Sequence, residues 1–374
     1  MAEPSFLLAG GGSAGHVNPL LATAAELRTR FPNARIEVMG TASGLEADLV
    51  PAAGFKLHTI PRVRIPRRPS PELLSLPGRI RAALTTARGI IDALEPSVVV
   101  GYGGDLSFPA YRAAFAAGVP VVAHEQNARP GLSNRYAARR AEVVAVTFAS
   151  TPLQAGRGTR VVTGLPLRPA VASLVAHRAA GEGEGLRASA AAALGLDPGL
   201  PTILVTGGSL GAVSVNTAAA GAARELATGA QVLHLTGRGK AEAVHQAVAA
   251  AGNPDGYHVR EYLPEMELAY ALADLTLTRA GAGMVSELSA LGIPAVYVPL
   301  PIGNGEQRLN ASDVVAAGGG LMVEDADLSP EWIRQHVVPL ARNTEELARM
   351  GALAAQSAPS DGAARLADEI EALT

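Results

Sequence analysis

The chain contains no cysteine, which excludes a disulfide framework, thiolate metal ligation and a cysteine nucleophile together. A reducing compartment is thereby permitted. No uninterrupted apolar run approaches the roughly 18 residues of a membrane helix, so no membrane span is expected. The first residues carry no basic segment ahead of the short run Phe6-Leu7-Leu8-Ala9, and export is not expected. Aromatics are scarce at 4%. Apolar residues nevertheless make up 48% of the 374 and charged residues only 17%, which excludes a disordered chain and provides cores for about two domains. The formal net charge of −3 conceals an imbalance. Residues 1 to 165 hold 18 basic against 11 acidic side chains, and the remainder 13 against 23, so the two halves face different surroundings.

Short β-branched runs alternate with alanine-rich stretches, the signature of βα units around parallel sheets. Strands are expected in the first half near Phe6-Ala9, Arg35-Met39, Leu57-Ile60, Val98-Gly101, Val119-Ala123, Val143-Val146 and Arg160-Val162. In the second half they fall near Thr202-Val205, Gln231-Leu235, Tyr257-Arg260, Leu275-Thr278, Ala295-Val298 and Gly320-Val323. The rhythm pauses at Thr163-Gly164-Leu165-Pro166, dividing the chain into domains over 1–163 and 164–360. Residues 179–193, with Gly-Glu-Gly-Glu-Gly and an alanine run, read as a flexible insertion or a loosely held helix end. Two doubly wound domains facing a cleft would bind ligands in loops that follow the strands.

Three glycine turns occupy such positions. Gly10-Gly11-Gly12-Ser13-Ala14-Gly15-His16 satisfies the spacing of a dinucleotide loop, but the second strand ends in Met39-Gly40-Thr41 without the acid that would bind a ribose, so the NAD reading loses its second leg. Gly101-Tyr102-Gly103-Gly104-Asp105 is the next. Thr206-Gly207-Gly208-Ser209-Leu210-Gly211-Ala212 also spells a nucleophile elbow, for which Asp255 and His258 are the nearest triad partners. Ser209 as a phosphate ligand is the favoured reading. Further on, Arg279 to Glu287 follows a strand and opens a helix. Glu287 one turn in can accept from both hydroxyls of a ribose, or merely complement the helix N-terminus.

Together with His124-Glu125-Gln126-Asn127 and the long run Pro299-Leu300-Pro301-Ile302-Gly303-Asn304-Gly305-Glu306-Gln307-Arg308-Leu309-Asn310-Ala311, these ordered motifs cover nearly the whole chain. They resemble the MurG family of bacterial N-acetylglucosaminyltransferases, which make lipid II of peptidoglycan. The resemblance implies an α/β GT-B fold, two Rossmann-like doubly wound parallel-sheet domains, with the acceptor on the first and the nucleotide sugar mainly on the second. A C-terminal helix over about 361–374 is expected to pack back on the first domain. The implied reaction moves GlcNAc with inversion from UDP-GlcNAc to the C4 hydroxyl of undecaprenyl-diphospho-MurNAc-pentapeptide, lipid I, with neither cofactor nor metal. Carried over by position, Ser13, Ala14 and Gly15 line the donor site and Asn127 meets the donor sugar. Arg168 and Ser209 meet the diphosphate, Leu263 the uracil through its backbone, and Ala282, Gly283, Met284, Val285, Ser286 and Glu287 the nucleoside. Gln307 reaches the phosphate or sugar end. An inverting step needs one base, and His16, with an ordinary pKa near 6.5, suits it. His124 and Asp105 are the other candidates, and Glu125 reads as structural. Asp325-Ala326-Asp327 spells the metal-binding pattern of other glycosyltransferases but precedes Ser329-Pro330-Glu331, so a loop and helix cap is the better reading. Two positions depart from the family: Leu210, where glutamine is common, and Asp105, where an aromatic is.

From Pro61 to Ile91 stand arginines 62, 64, 67, 68, 79, 81 and 88 against the single acid Glu72, interspersed with Leu73, Leu74, Leu76, Ile80 and Leu84. Basic and apolar groups so mixed suit an anionic membrane surface, and peripheral attachment to the cytoplasmic face of the bacterial membrane is expected. The absence of aromatics there argues against nucleic acid; an ordinary solvated face is the remaining reading. Two other functions fit parts of the pattern: a UDP-GlcNAc 2-epimerase of the same fold, and a serine hydrolase.

Overall fold

The computed structural model describes residues 3–63, 72–208 and 210–374, without side chains for 72–74. It divides into two compact units, Met1–Arg168 with Asp361–Thr374, and Pro169–Ser360.

The first unit is built on β1 (Ser5–Ala9), β2 (Arg35–Gly40), β3 (Lys56–Thr59), β4 (Val98–Gly101), β5 (Val121–Glu125), β6 (Val143–Val146) and β7 (Thr159–Val162). They form one parallel sheet in the order β3-β2-β1-β4-β5-β6-β7, with Phe6 level with Ile36 on one side and Val98 on the other. Reversal of the order at β1 puts the switch point between β1 and β4. Every residue of β1 and β4 is buried, as expected of a parallel sheet covered on both faces. Leu7, Ala9, Val99 and Tyr111 pack in one layer, and Phe6, Leu8, Val100 and Tyr102 in the other.

The second layer is completed from the far end of the chain. The helix Gly362–Glu371 buries Leu366, Ala367 and Ile370 against it. Arg30, at the end of the helix Ala14–Arg30, binds Asp368 at 2.6 Å, Glu371 at 3.2 Å and the Ala364 carbonyl at 3.0 Å.

The second unit holds β8 (Thr202–Thr206), β9 (Gln231–Leu235), β10 (Tyr257–Arg260), β11 (Leu275–Thr278), β12 (Ala295–Tyr297) and β13 (Gly320–Met322). All are parallel, in the order β10-β9-β8-β11-β12-β13, so its switch point lies between β8 and β11. Alanines 218, 219, 220, 222 and 223 are buried on its covering helices, whose small side chains let the backbone lie close to Ile203, Val205, Leu275 and Leu277.

The stretch 179–193, expected as a flexible insertion or loose helix end, is instead ordered. After the helix Pro169–Ala179, a second helix runs Gly183–Leu194, buries Ala190, Ala191 and Leu194, and ends on Gly195 at φ 69°. Alanine is the strongest helix former, and Arg187 ties this helix to the Leu272 carbonyl at 2.6 Å and to Asp274 at 2.9 Å. The alanine run is an apolar helix face, which the flanking glycines obscured.

Candidate active site

In the first unit, four strands of the switch region release their chains into loops that each open a helix. β1 leads through Gly10–Ser13 to the helix Ala14–Arg30, and β2 through Thr41–Leu45 to the helix Glu46–Ala52. β4 leads to the helix Gly104–Ala117, and β5 through Gln126–Gly131 to the helix Leu132–Ala137. Gly12, Gly103 and Gly104 have φ of 84°, 76° and 72°, a region L-residues seldom enter. These three positions need glycine for the path of the turn, and Gly103 also for clearance from Asn134.

His16 sits in the first turn of its helix, half-buried. Its Nδ1 lies 2.9 Å from the Ser13 hydroxyl. Ser13 stands at the N-cap, yet its side chain caps nothing and serves the imidazole instead. On the other side runs the bare backbone of Gly104, where even a Cβ would stand only 3.7 Å from Cε1 and Nε2. When Nδ1–H donates to Ser13, Nε2 is the lone-pair nitrogen. Burial lowers the pKa of His16, and the negative charge of Glu46 only partly offsets this, so the ring is neutral at pH 7 and able to accept a proton. Ala14 and Gly15 head the same helix, where geometry supplies their amides with no acceptor.

His124, the second candidate base, is wholly enclosed. Its Nε2 donates to the Gly164 carbonyl at 3.2 Å, and burial pushes its pKa down to about 4. It is a neutral core histidine out of reach of a substrate hydroxyl. Asp105 is exposed in the first turn of its helix, where a carboxylate complements the macrodipole. Glu125 is structural: its oxygens accept from the amides of Asn127 and Gly131 and from Asn134 Nδ2 at 2.9 to 3.0 Å. That holds the backbone of Asn127, whose half-buried side chain lies at the end of β5. Arg168 ends the first of this unit's two segments and is half-buried.

In the second unit the glycine loop after β8 is shaped by close backbone approach. Gly208 and Gly211 have φ of 79° and 66°, and a Cβ at Gly211 would overlap the Thr236 carbonyl. The Lys240 ammonium straps this loop, donating to the carbonyls of Leu210 at 2.6 Å and Gly211 at 3.2 Å. Ser209 lies outside the described residues. Leu210 projects into solvent, 83% exposed.

The helix Ala282–Ala290 begins after β11 with Gly281 at its N-cap. Ala282, Gly283 and Met284 are half-buried and Val285 and Ser286 are buried. Glu287 is also largely buried, and its Oε2 accepts from the Tyr270 hydroxyl at 2.7 Å. Arg279, at the start of this loop, donates to the carbonyls of Val298 and Pro299, both at 3.2 Å, to Asp325 at 2.5 Å and to Ser214 at 2.9 Å. Asp325 is thereby engaged in the frame. Ser329 caps the following helix, accepting from Trp332 N–H at 3.1 Å with Pro330 at the first position. Gln307 turns its Oε1 back to the Leu300 amide at 3.0 Å, so the NH2 end of its side chain is the end able to meet a ligand. Leu263, after β10, is buried.

Sequence reasoning missed Glu46, Tyr270 and Lys240. Tyr270 reads as core in Leu268-Ala269-Tyr270-Ala271-Leu272, and its burial hides the fact that its hydroxyl reaches the Glu287 carboxylate.

Comparison with known proteins accounts for both units. The glycosyltransferase family 28 N-terminal domain matches residues 6–146 and the glycosyltransferase family 28 C-terminal domain residues 202–366. A UDP-N-acetylglucosamine–N-acetylmuramyl-(pentapeptide) pyrophosphoryl-undecaprenol N-acetylglucosamine transferase of Bifidobacterium longum is 49% identical, covering 93% of this chain and 92% of its own. The enzyme of the same name from a Nocardioides strain is 51% identical over 96% of each chain. The crystal structure of Acinetobacter baumannii MurG matches with a TM-score of 0.79 at 27% identity and 99% coverage of both chains. A UDP-GlcNAc 2-epimerase from Neisseria meningitidis has a TM-score of 0.70 over 99% of this chain, but at 13% identity it shares the fold alone. Half-identity to transferases against so remote a likeness to epimerases leaves the epimerase reading the less supported one. With its two parallel-sheet units of the GT-B class, the chain belongs to glycosyltransferase family 28, and within it to the MurG N-acetylglucosaminyltransferases.

Proposed function

We infer that this protein transfers GlcNAc from UDP-GlcNAc to the C4 hydroxyl of the MurNAc sugar of lipid I, forming lipid II for peptidoglycan, with inversion at the anomeric carbon. The near-half identity to transferases of that name over almost the whole chain carries the inference.

In this reading His16 Nε2 takes the C4 hydroxyl proton as the new glycosidic bond forms, while Ser13 steadies Nδ1. The bond between the sugar and the β-phosphate oxygen breaks, and negative charge collects on UDP. Ser209, Arg168, and the amides heading the helices at Ala14 and Ala282 are placed by the motifs to stabilise that charge. Glu287 accepts from the ribose hydroxyls, Leu263 meets the uracil, Asn127 the GlcNAc ring, and Gln307 the sugar or phosphate end. Radiolabelled UDP-GlcNAc with and without a lipid I analogue tests this: label enters the lipid only with the acceptor. Consumption of UDP-GlcNAc without acceptor would refute it.

The acceptor is a membrane lipid, and the helix Glu72–Leu94 supplies the features for peripheral docking on an anionic cytoplasmic membrane surface. Ala83, Ala87 and Ile91 are buried, while Leu76, Ile80 and Leu84, each four apart, stay half-buried on the same helix as the exposed Arg81; Arg62 is exposed as well. Arg88 pairs with Asp92 at 2.7 Å, so it contributes less. Arg64, Arg67 and Arg68 lie outside the described residues, as do the side chains of Leu73 and Leu74. No described helix is long and apolar enough to cross a membrane. Pelleting with anionic vesicles at low salt, lost in Arg81→Glu/Ile80→Asp, is the expected result. Pelleting that is indifferent to lipid charge would refute the electrostatic part.

A further inference from the structure

Glu46 is wholly buried. Its Oε2 accepts from the Gly12 amide at 2.8 Å, and its Oε1 from the Thr41 amide at 2.9 Å and the Thr41 hydroxyl at 2.7 Å. The two segments it joins are the loop after β1 and the loop after β2, and its own helix begins with it. Both loops are cut to fit it. A Cβ at Gly11 or Gly44 would overlap the carboxylate, and one at Gly40 would overlap its stem. These three glycines have ordinary negative φ, since they are absent from the left-handed residues, so they serve clearance rather than turn geometry. Burial opposes ionisation, but the bonds from Gly12 and Thr41 outweigh it and hold the carboxyl below its usual range.

A carboxylate buried among neutral donors costs several kcal/mol to desolvate unless its bonds are complete. A packed apolar side chain would close the same gap between two loops more cheaply. What an apolar side chain could not supply is a rigid anchor on an amide of the glycine loop. Gly12 is one residue from Ser13, whose hydroxyl holds His16.

We propose that Glu46 is a positioning residue for His16, its carboxylate pinning the Gly10–Ser13 loop to Thr41 so that the Ser13 hydroxyl presents the imidazole in one orientation. The proposal rests on the reading of His16 as the base. Gln at position 46 keeps the shape, but its NH2 group must face either the Gly12 or the Thr41 amide, donor against donor. The loop is then free to leave its native path, and Ser13 with it.

The test is a double-mutant cycle on the full chain. Glu46→Gln should lower kcat about 10- to 100-fold in the wild-type background, within the span of a displaced general base. Affinity for UDP, measured by calorimetry, should fall far less than kcat, because only the Ala14 amide beside that loop is assigned to the nucleotide, whereas a positioning defect at the base falls on turnover. In the His16→Ala background the same substitution should cost less than about twofold, since there is no imidazole left to orient. Thr41→Val serves as the milder variant should Glu46→Gln fail to fold. It keeps the carboxylate and both amides, and should cost a few-fold in kcat with His16 and nothing without it. Equal losses in the two backgrounds, or none with His16 present, would overturn the proposal and leave the base assignment standing. Near-normal turnover of His16→Ala alone would overturn both.

Discussion

Tyr270→Phe removes the hydroxyl that donates to Glu287, the carboxylate proposed to receive the ribose. The tyrosine ring is buried at 1% exposure and its hydroxyl donates to Glu287 Oε2 at 2.7 Å, with Glu287 itself 8% exposed. If Glu287 receives the ribose hydroxyls, the tyrosine fixes its rotamer and satisfies one side of a nearly dry carboxylate. A hydrogen bond to a charged group is worth about 1.5 to 3 kcal/mol, because its loss leaves the charge undersatisfied. At 1.4 kcal/mol per decade that corresponds to roughly 10- to 100-fold if it falls wholly on nucleotide binding. Part will instead fall on stability, a melting temperature lowered by about 2 to 4 °C per kcal/mol for a unit of this size. The expected result is therefore about a tenfold rise in KM for UDP-GlcNAc, with kcat little changed and the ring still packed. Calorimetry with UDP and its 2′,3′-dideoxy analogue reads the contact directly: the wild type should separate the two ligands, and the variant should separate them less. Equal affinity of the wild type for the two ligands would refute the role given to Glu287, and undiminished discrimination in Tyr270→Phe would refute the orienting role given to Tyr270, whatever the melting temperature did.

His16→Ala should lower turnover by about 10² to 10⁴, the usual contribution of a general base, with UDP-GlcNAc affinity retained by equilibrium binding. The pH profile of kcat/KM follows from the direction of the His16 shift. Burial lowers its pKa below 6.5, so the base is lost to protonation only on the acid side. Activity should rise with pH through a midpoint under 6.5, and that limb should vanish in His16→Ala. Asp325→Asn breaks the pair with Arg279, whose side chains are 12% and 19% exposed. It should destabilise the second unit by about 2 to 3 kcal/mol, below the 3 to 5 of a fully buried pair, read by denaturant melts. An unchanged midpoint would show that the Val298 and Pro299 carbonyls and Ser214 suffice to hold Arg279.

Strands were the most legible part of the chain. Val98-Val99-Val100-Gly101 and Gln231-Val232-Leu233-His234-Leu235 are apolar runs bounded by turn residues, and a parallel sheet buried on both faces leaves that imprint on sequence. Glycine loops at strand ends were legible for the same reason, since Gly12 and Gly208 occupy backbone that other residues avoid. The helix Gly183–Leu194 was not, because flanking glycines mimic a linker. His124 was misjudged because pattern alone does not tell a strand's final exposed residue from its last buried one; β5 continues to Glu125. Glu46, Tyr270 and Lys240 act at long range in sequence, 34, 17 and 30 residues from their partners. Local spacing carries no trace of such bonds.

Those long-range bonds follow a rule that differs between the units. A loop that must admit a ligand is made of glycine, and glycine loses the most conformational entropy on being held. Side chains from elsewhere must then supply the stiffness. In the first unit the straps are carboxylates on amides: Glu46 on Gly12 and Thr41, Glu125 on Asn127 and Gly131. In the second they are cations on carbonyls: Lys240 on Leu210 and Gly211, Arg279 on Val298 and Pro299. Holding the Leu210 and Gly211 carbonyls fixes the path of the glycine loop after β8, and backbone amides held on a fixed path are what a diphosphate requires. Tying down the Gly12 amide removes a donor from the loop that leads to His16 and spares the imidazole that competitor. The second unit's excess of acids therefore does not disqualify it as the diphosphate side. Surface charge beyond a Debye length of about 8 to 10 Å is screened by salt.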